Sequence, residues 1–296
     1  IIHQADSLFN TELLVVPNLN SHDKNSYINL TVDIKLAQIE EYFPSFLEEE
    51  KSITYNKENK KFDFRVKKHF LKLELYSKPE TMLNKQDLKP LLLDLIKHEG
   101  LDLLTWSAKA LELRNRVNFI CLKNNTEFDF SLSFNMKSFS EECLVNNLQL
   151  WLEPYLDNIG TIKALKSLDV YSILLGLIPW AEQQSLDTLV PSYIKVPSGS
   201  NIKINYSNIE VPILVVRLQE IFGLHETPKI VNGLIPLQVH LLSPASRPIQ
   251  ITYDLKSFWQ NSYSEVRKEL RGKYKRHYWP ENPFEATATN KTKKRM

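Results

Sequence analysis

Glycine is scarce in this sequence, with seven residues among 296. A Walker-type loop needs closely spaced glycines, so that backbone N–H groups can approach phosphates, followed by a lysine. The one Gly-Lys pair, Gly272-Lys273, follows a predicted helix instead of leading into one. The patterns GxGxxG, GxSxG and HExxH are also missing. The sequence therefore shows no nucleotide-binding loop and no hydrolase signature.

Cysteine is rarer still, and neither Cys121 nor Cys143 has a metal-ligand spacing to a histidine. The seven histidines are scattered, and no two stand three or four residues apart, as two ligands on one helix face would. Acidic clusters such as 48–50 are interpreted as solvated surface. We therefore predict no catalytic residue, no metal and no cofactor in this chain. Two thiols among so many residues favour a reducing compartment and a cytoplasmic protein.

Long apolar runs are absent too, so we expect neither a transmembrane helix nor a membrane partner. No signal peptide is recognisable, and the chain opens on Ile1 instead of Met, which suggests a piece of a longer protein. Apolar residues make up 43% of the chain and charged residues 24%, a composition that predicts a packed core.

What the sequence does have is a basic, aromatic end. From Lys256 to Met296 there are eleven lysines and arginines against four acidic residues, whereas the whole chain carries only +2. Such a local excess suits a polyanion. We predict that the cations contact nucleic-acid phosphates and that Tyr274, Tyr278 or Trp279 offers a stacking face; the cations are Arg267, Lys268, Arg271, Lys273, Lys275 and Arg276. In the alternative, the aromatic rings are core and the cations are only solvated.

Three other arginines are candidates, each with an alternative. Arg247, in a loop between Pro244 and Pro248, binds a phosphate or carboxylate, or pairs with a neighbouring acid. Arg217 follows an apolar strand and is expected to form an ion pair with an acid such as Glu220. Arg65 and Lys67 belong to an alternating basic strand that either lines a nucleic-acid face or is solvated. Trp106, Trp151 and Trp180 are predicted to be core.

The pattern of the chain predicts an α+β fold in two parts. Residues 1–80 alternate apolar and polar positions and are rich in β-branched and aromatic residues, which predicts a small OB-like β-rich module. Residues 81–280 form a larger mixed domain, with a helical part at 84–190 and an antiparallel sheet plus a basic last helix at 191–280. Asp254 is the predicted cap of that helix. Residues 281–296 are predicted to be a disordered basic tail.

Long stretches of residues 167–280 resemble the C-terminal region of the HrpB family, bacterial relatives of the DEAH-box RNA helicases. They include SLDVYSILLGLIPW, VVRLQEIFG, TPKIVNG, IPLQVHLLSPASRPIQITYDLKSFW and SYSEVRKELRGKY. The upstream segment LLTWSAKALELRNRV and the β-rich start of the chain extend the resemblance over nearly the whole chain. None of the family's motor motifs is present, so no ATPase or helicase residue is transferred to this chain.

The resemblance implies an accessory C-terminal region of an ATP-dependent RNA helicase. Two RecA-like motor domains, with their ATP and Mg²⁺, would lie upstream in the same polypeptide, and the OB-like module would follow them. RNA or single-stranded nucleic acid is then the expected partner. Whether this chain itself is to be counted as an enzyme stays open. The alternative is a protein-docking domain that recruits the helicase to another protein, with the charge serving solubility.

Overall fold

The computed structural model describes residues 8, 11–22, 25–81, 84–124 and 130–292. The chain divides into two packed units, Ile1–Leu95 with Asn158–Ile162, and Ile96–Asp157 with Lys163–Met296. Helices and mainly antiparallel sheets make up the chain, which confirms the α+β prediction. Of the helices in the described residues, none has the length and apolar character needed to cross a bilayer.

Five strands account for the β-rich start of the chain. They are β1 (Leu14–His22), β2 (Asn25–Asp33), β3 (Leu47–Asn56), β4 (Lys61–Phe70) and β5 (Leu73–Glu80). β1 and β2 form an antiparallel hairpin, while β3, β4 and β5 form an antiparallel meander. No backbone pairing joins hairpin and meander within the described ranges, so closure into an OB-like barrel stays a prediction.

The first half of β4, the middle strand of the meander, alternates between buried and more exposed positions, as the period of two predicts. Phe62 and Phe64 of β4 are buried on one face, and Ile53 of β3 lies opposite Phe64. Arg65 and Lys67 occupy the intervening positions and therefore face the other way. One strand thus contributes both to the core and to the predicted basic face.

Two helices belong to this part of the chain, α1 (Leu36–Tyr42) before β3 and α2 (Lys85–Glu99) after β5. Nζ of Lys51 on β3 lies 2.7 Å from Oδ2 of Asp87 on α2. The division between the two units falls after Leu95, within α2, whereas the sequence suggested a boundary near residue 80. The Lys51–Asp87 ion pair is one reason why the start of α2 belongs with the strands.

A series of helices follows and encloses the main core. They are α3 (Ala108–Lys123), α4 (Glu141–Asn146), α5 (Leu148–Trp151), α6 (Ile162–Lys166), α7 (Val170–Gly176) and α8 (Trp180–Leu189). Phe119, Phe139 and Trp151 are almost completely buried there. Burial of large aromatic and aliphatic side chains is the main source of stability in such a layer of short helices.

A five-stranded sheet follows, in the order β12-β11-β8-β7-β6. Its strands are β6 (Tyr193–Lys195), β7 (Asn201–Asn205), β8 (Ile213–Arg217), β11 (Gln238–Leu242) and β12 (Pro248–Thr252), and a small hairpin, β9 (Lys229–Ile230) and β10 (Ile235–Pro236), precedes β11. The sheet is not purely antiparallel as predicted, because β8 and β11 run parallel. The long connection over residues 218–237 returns the chain to the starting end of β8, which parallel pairing requires. β8 and β11 consequently end at the same edge of the sheet.

The last helical segment runs from α9 (Leu255–Ser257) through a π-helical turn (Phe258–Ser262) into α10 (Tyr263–Lys273). Its predicted cap is confirmed, because the amide of Ser257 donates to Oδ1 of Asp254 at 2.9 Å. One face of the segment is buried against the body; its buried residues are Leu255, Phe258, Trp259, Tyr263 and Leu270. Of the cations of α10, Lys268, Arg271 and Lys273 are exposed, whereas Arg267 is half-buried.

Residues 281–292 are packed on the body, so the prediction of a disordered tail is wrong for them. The amide of Gly223 donates to the carbonyl of Pro283 at 2.8 Å, and that of Thr289 donates to the carbonyl of Gln219 at 2.9 Å. Gly223 has a φ of +77°, and a Cβ there would lie 3.3 Å from the Ala286 carbonyl. Backbone hydrogen bonds and a glycine hold this segment, and its polar composition does not reveal them. Residues 293–296 lie outside the described part of the chain.

Candidate nucleic-acid interface

The predicted basic segment forms two adjoining hollows on the surface of α10 and the turn after it. The larger, about 720 Å³, is lined by Arg267, Lys268, Arg271, Gly272, Lys275, Tyr278, Trp279 and Glu281. The smaller, about 340 Å³, is lined by residues 272–277. Gly272 and Lys275 belong to both hollows, so the two form one continuous surface, here called the α10 face.

Two of the predicted cations are neutralised by acids of the same chain. Nη2 of Arg267 lies 3.0 Å from Oε1 of Glu281. Nζ of Lys273 lies 2.7 Å from Oε1 of Glu269, and its hydrogen bond to this carboxylate raises the pKa of Lys273. Arg271 and Lys273 also lie in the last turn of α10, where the helix dipole favours positive charge. Part of the basic character is therefore explained by the stability of the helix.

The remaining cations of the α10 face keep an open charge. Lys268, Arg271, Lys275 and Arg276 are exposed. In the part of the chain that the structure describes, none of these four has an acidic partner within 4.0 Å. Because water and salt screen them only partly at this density, the four charges leave a positive field over the hollows. An anion can approach this surface without displacing an internal ion pair.

The aromatic residues of the segment are mostly structural. Trp259, Tyr263 and Trp279 are buried, which confirms the alternative in which these rings belong to the core. Nε1 of Trp279 donates to the Tyr274 carbonyl at 3.1 Å, and the Tyr263 hydroxyl donates to the Pro280 carbonyl at 2.8 Å, while burial raises the pKa of Tyr263. Tyr278 is half-buried and lines the larger hollow. Its predicted role in stacking stays a prediction.

Arg247 lies near the end of α10, because the turn that carries it is tied to Tyr274. The Tyr274 hydroxyl donates to Oγ of Ser243 at 3.3 Å, and the Arg247 amide donates to the same oxygen at 3.1 Å. Ser243 is itself buried and donates its amide to the Arg247 carbonyl at 2.8 Å. The side chain of Arg247 is exposed, and no ion pair to it occurs among the described residues.

Arg217 was expected to form a structural ion pair, and that prediction is wrong. It is exposed at the end of β8, and its Nη2 donates to Oγ of Ser246 at 3.4 Å. Glu220 is buried instead, and its carboxylate accepts a hydrogen bond from the Ser198 hydroxyl at 3.1 Å. β8 alternates buried and exposed positions, and Arg217 falls on an exposed one, whereas Glu220 lies on the buried turn that follows.

Arg65 and Lys67 are in the first unit and are considered there alone. The Arg65 guanidinium donates to the Ser77 hydroxyl at 3.3 Å and remains exposed. Nζ of Lys67 lies 3.5 Å from Oε2 of Glu74, so its charge is partly offset. Glu50 lies opposite Lys67 in the strand register. Among the described residues Arg65 has no acidic partner within 4.0 Å, so of the two it keeps the less compensated charge.

Trp180 is a residue whose position the sequence did not reveal. Trp151 is core as predicted, but Trp180 is 73% exposed at the start of α8. Phe134, 62% exposed, lies on a turn where its φ is +56° and that of Asn135 is +54°. The Ser133 amide donates to the Leu177 carbonyl at 2.9 Å, which ties this turn to the segment before α8. An aromatic exposed on a left-handed turn is strained, and strain of this kind is often retained for function.

The described residues contain no group of three or more His, Cys, Asp or Glu side chains arranged to hold a metal ion. Cys121 and Cys143 are free thiols, and burial raises the pKa of Cys121 to about 12. A thiol with such a pKa is a poor nucleophile near neutral pH.

Three comparisons agree on the relatives of this chain. Residues 151–283 match the family model described as ATP-dependent helicase C-terminal. The chain is 33% identical over 291 residues to the ATP-dependent RNA helicase HrpB of Escherichia coli strain K12, covering 98% of this chain and 35% of that protein. Its fold is similar to the crystal structure of the E. coli DExH-box NTPase HrpB, with a TM-score of 0.68 and 32% identity over 97% of this chain and 35% of the other.

A second crystal structure, of the E. coli DEAH/RHA helicase HrpB, is similar with a TM-score of 0.60 and 31% identity, over 93% of this chain and 34% of the other. This chain thus spans well under half of the length of the relatives it matches. The similarity nevertheless extends over nearly all of it and includes both sequence and fold. The chain is thus similar, in sequence and in fold, to the C-terminal region of HrpB helicases.

Proposed function

We propose that this chain is the accessory C-terminal region of an ATP-dependent RNA helicase and that its α10 face holds a nucleic-acid strand. The observation that carries the proposal is the set of four exposed cations without an acidic partner in the described chain, Lys268, Arg271, Lys275 and Arg276. Clustered like charges repel one another. A polyanion relieves this repulsion, and its own binding is favoured by the counterions that it releases.

In this proposal the chain contacts the nucleic-acid strand, and other domains of the same polypeptide hydrolyse ATP. The relatives are described as ATP-dependent, as an NTPase and as helicases, while this chain carries no nucleotide-binding loop. ATP and Mg²⁺ would bind upstream RecA-like domains of the same polypeptide. A strand held on α10 would stay near those motors while they move along it. In the first unit, the open guanidinium of Arg65 is a second candidate contact, and Lys67 a weaker one because Glu74 lies beside it.

Binding of a fluorescent single-stranded RNA, followed by anisotropy, tests the proposal. We expect micromolar affinity at low salt and about a tenfold or greater loss in the double variant K268Q/R271Q, because each phosphate contact releases condensed counterions. The matched control K163Q/K166Q removes two exposed lysines from the last turn of α6 and should bind as wild type does. Absence of wild-type binding at low salt, or equal loss in both double variants, contradicts the proposal.

Protein docking is a second candidate function, favoured by the exposure of Trp180 and Phe134. Tryptophan is enriched among the residues that dominate binding energy in protein interfaces. If this surface docks a protein, W180A should abolish capture of that protein while leaving RNA affinity unchanged. If W180A behaves as wild type in both assays, the exposed tryptophan does not serve docking.

A further inference from the structure

A second group of cations lies at the edge of the sheet where β8 and β11 both end. Arg217 is the last residue of β8 and pairs in register with Leu242, the last residue of β11. The turn after β11 carries Arg247. Because the two strands are parallel, their ends place Arg217 beside this turn, and its guanidinium donates to the Ser246 hydroxyl. Two arginines thirty residues apart in sequence are brought together only by this topology.

Ser243 links this edge to the end of α10. It is only 3% exposed, its hydroxyl accepts hydrogen bonds from the Tyr274 hydroxyl and from the Arg247 amide, and its amide donates to the Arg247 carbonyl. The turn is therefore fixed at its first and last residues. A buried serine that orders a loop in this way reduces the entropy that an arginine on that loop loses on binding.

The two arginines carry positive charge, and the next feature of this region is a histidine ring nitrogen without a hydrogen-bond partner in the described chain. His277 lies on the turn that follows Tyr274: its amide donates to the Tyr274 carbonyl at 3.0 Å, and the centroids of the two rings are 6.3 Å apart. Nδ1 of His277 is buried and has no hydrogen-bond partner among the described residues. A buried polar atom of this kind costs free energy unless a ligand satisfies it.

We propose that Arg217, Arg247 and His277 form a phosphate-binding site that continues the α10 face onto the sheet edge. The inference rests on the proposed function, since it assigns the site to the phosphodiester backbone of the same strand. The two guanidiniums would bind non-bridging phosphate oxygens with charge-assisted hydrogen bonds. The neutral imidazole, in the tautomer with its proton on Nδ1, would donate one more. Ser243 is a positioning residue that holds Arg247 in place.

The test is the salt dependence of single-stranded RNA binding by the full chain. Each lost phosphate contact on a single strand should flatten the slope of log K against log salt by about 0.7, so R217Q/R247Q should flatten it by about 1.4. K163Q/K166Q is the control, and K268Q/R271Q reports on the α10 face separately. Urea unfolding of each variant checks that the fold is retained.

The outcomes separate the two proposals. Suppose that the wild type binds RNA and that K268Q/R271Q binds it more weakly. If R217Q/R247Q then binds as the K163Q/K166Q control does, the proposed sheet-edge site is wrong, and the proposal for the α10 face is retained. If wild type does not bind, both proposals fail. Ser243 is tested by a double-mutant cycle, in which S243A should flatten the slope in the wild-type background and have no further effect on R247Q. A second arm titrates inorganic phosphate and follows the ¹⁵N shift of His277, which should move in wild type and not in R217Q/R247Q.

Discussion

Nη2 of Arg267 lies 3.0 Å from Oε1 of Glu281, and Nε of the same guanidinium donates to the Trp279 carbonyl at 3.1 Å. The arginine thereby joins α10 to the segment that follows the helix. Lys268, the next residue, is exposed and has no acidic partner in the described chain. Adjacent cations on one helix thus have different roles, since the first is structural and the second is available to a ligand.

Substituting Arg267 and Lys268 one at a time should separate the effect on stability from the effect on RNA binding. R267Q should lower the free energy of unfolding by about 1 kcal/mol, because a largely buried guanidinium loses two hydrogen bonds. K268Q should leave the free energy of unfolding unchanged and weaken RNA binding. Urea unfolding and anisotropy measured on the same preparations check both expectations. A loss of stability in K268Q equal to that in R267Q would show that both cations are structural.

Arg116 is predicted to be the more important partner in its ion pair with Asp187. Its buried guanidinium donates to the Val190 carbonyl at 2.6 Å and the Leu186 carbonyl at 3.1 Å, at the end of α8, and reaches the exposed Asp187 carboxylate at 2.6 Å. R116M should lower the free energy of unfolding by about 2–4 kcal/mol, because two carbonyls lose their donor. D187N should cost less than about 1 kcal/mol, since Asp187 stays solvated.

Thermal and urea unfolding of the two variants measure this difference. R116M should also leave the salt slope of RNA binding unchanged, because Arg116 is remote from solvent. Equal destabilisation by R116M and D187N would show that the ion pair, and not the capping of α8, is the main contribution.

His277 should make stability depend on pH in a known direction. Burial, and secondly the charge of Arg217, lower its pKa in the folded chain below the ordinary value of 6.5. The unfolded state therefore binds the proton more readily. The contribution is fully present above pH about 6.5 and is lost as the pH falls toward the folded pKa. H277N should flatten the decline of the unfolding free energy between pH 7.5 and 5, whereas an unchanged decline would show that His277 does not contribute.

Gly223 should control the packing of the segment after α10. Its φ is +77°, and a methyl group at this position would lie 3.3 Å from the Ala286 carbonyl oxygen, so both the backbone conformation and the available space disfavour a side chain. G223A should destabilise the chain by about 1 kcal/mol or more. Hydrogen exchange at the Thr289 amide, which donates to the Gln219 carbonyl, should become faster. Unchanged exchange at Thr289 would show that the segment is held independently of Gly223.

Local patterns predicted much of the fold. The cap at Asp254 and the alternation in the first half of β4 each depend on spacing within a few residues, and the structure confirms both. The parallel pairing of β8 and β11 was missed because it depends on where a twenty-residue connection leads. That pairing in turn decides the position of Arg217, so the sheet-edge cluster was hidden from the sequence.

The exposure of individual side chains was harder to predict than the local elements of secondary structure. Trp180 stands in an apolar stretch, LLGLIPW, that predicts a core residue, yet it begins a helix and faces solvent. Thr289 stands in a polar stretch and is buried, because its amide pairs with the body. For Thr289 the deciding contact is made with Gln219, which is far away in sequence. The cations of the α10 face were recognised from their local excess, but their separation into paired and open charges required the positions of Glu269 and Glu281.

The salt slope of single-stranded RNA binding tests the central claim most directly. If the four open cations of the α10 face each contact a phosphate, the variant K268Q/R271Q/K275Q/R276Q should flatten the slope of log K against log salt by about 2.8 relative to wild type. An unchanged slope in a variant that remains folded would contradict the account, because the strand would then be held elsewhere or not at all.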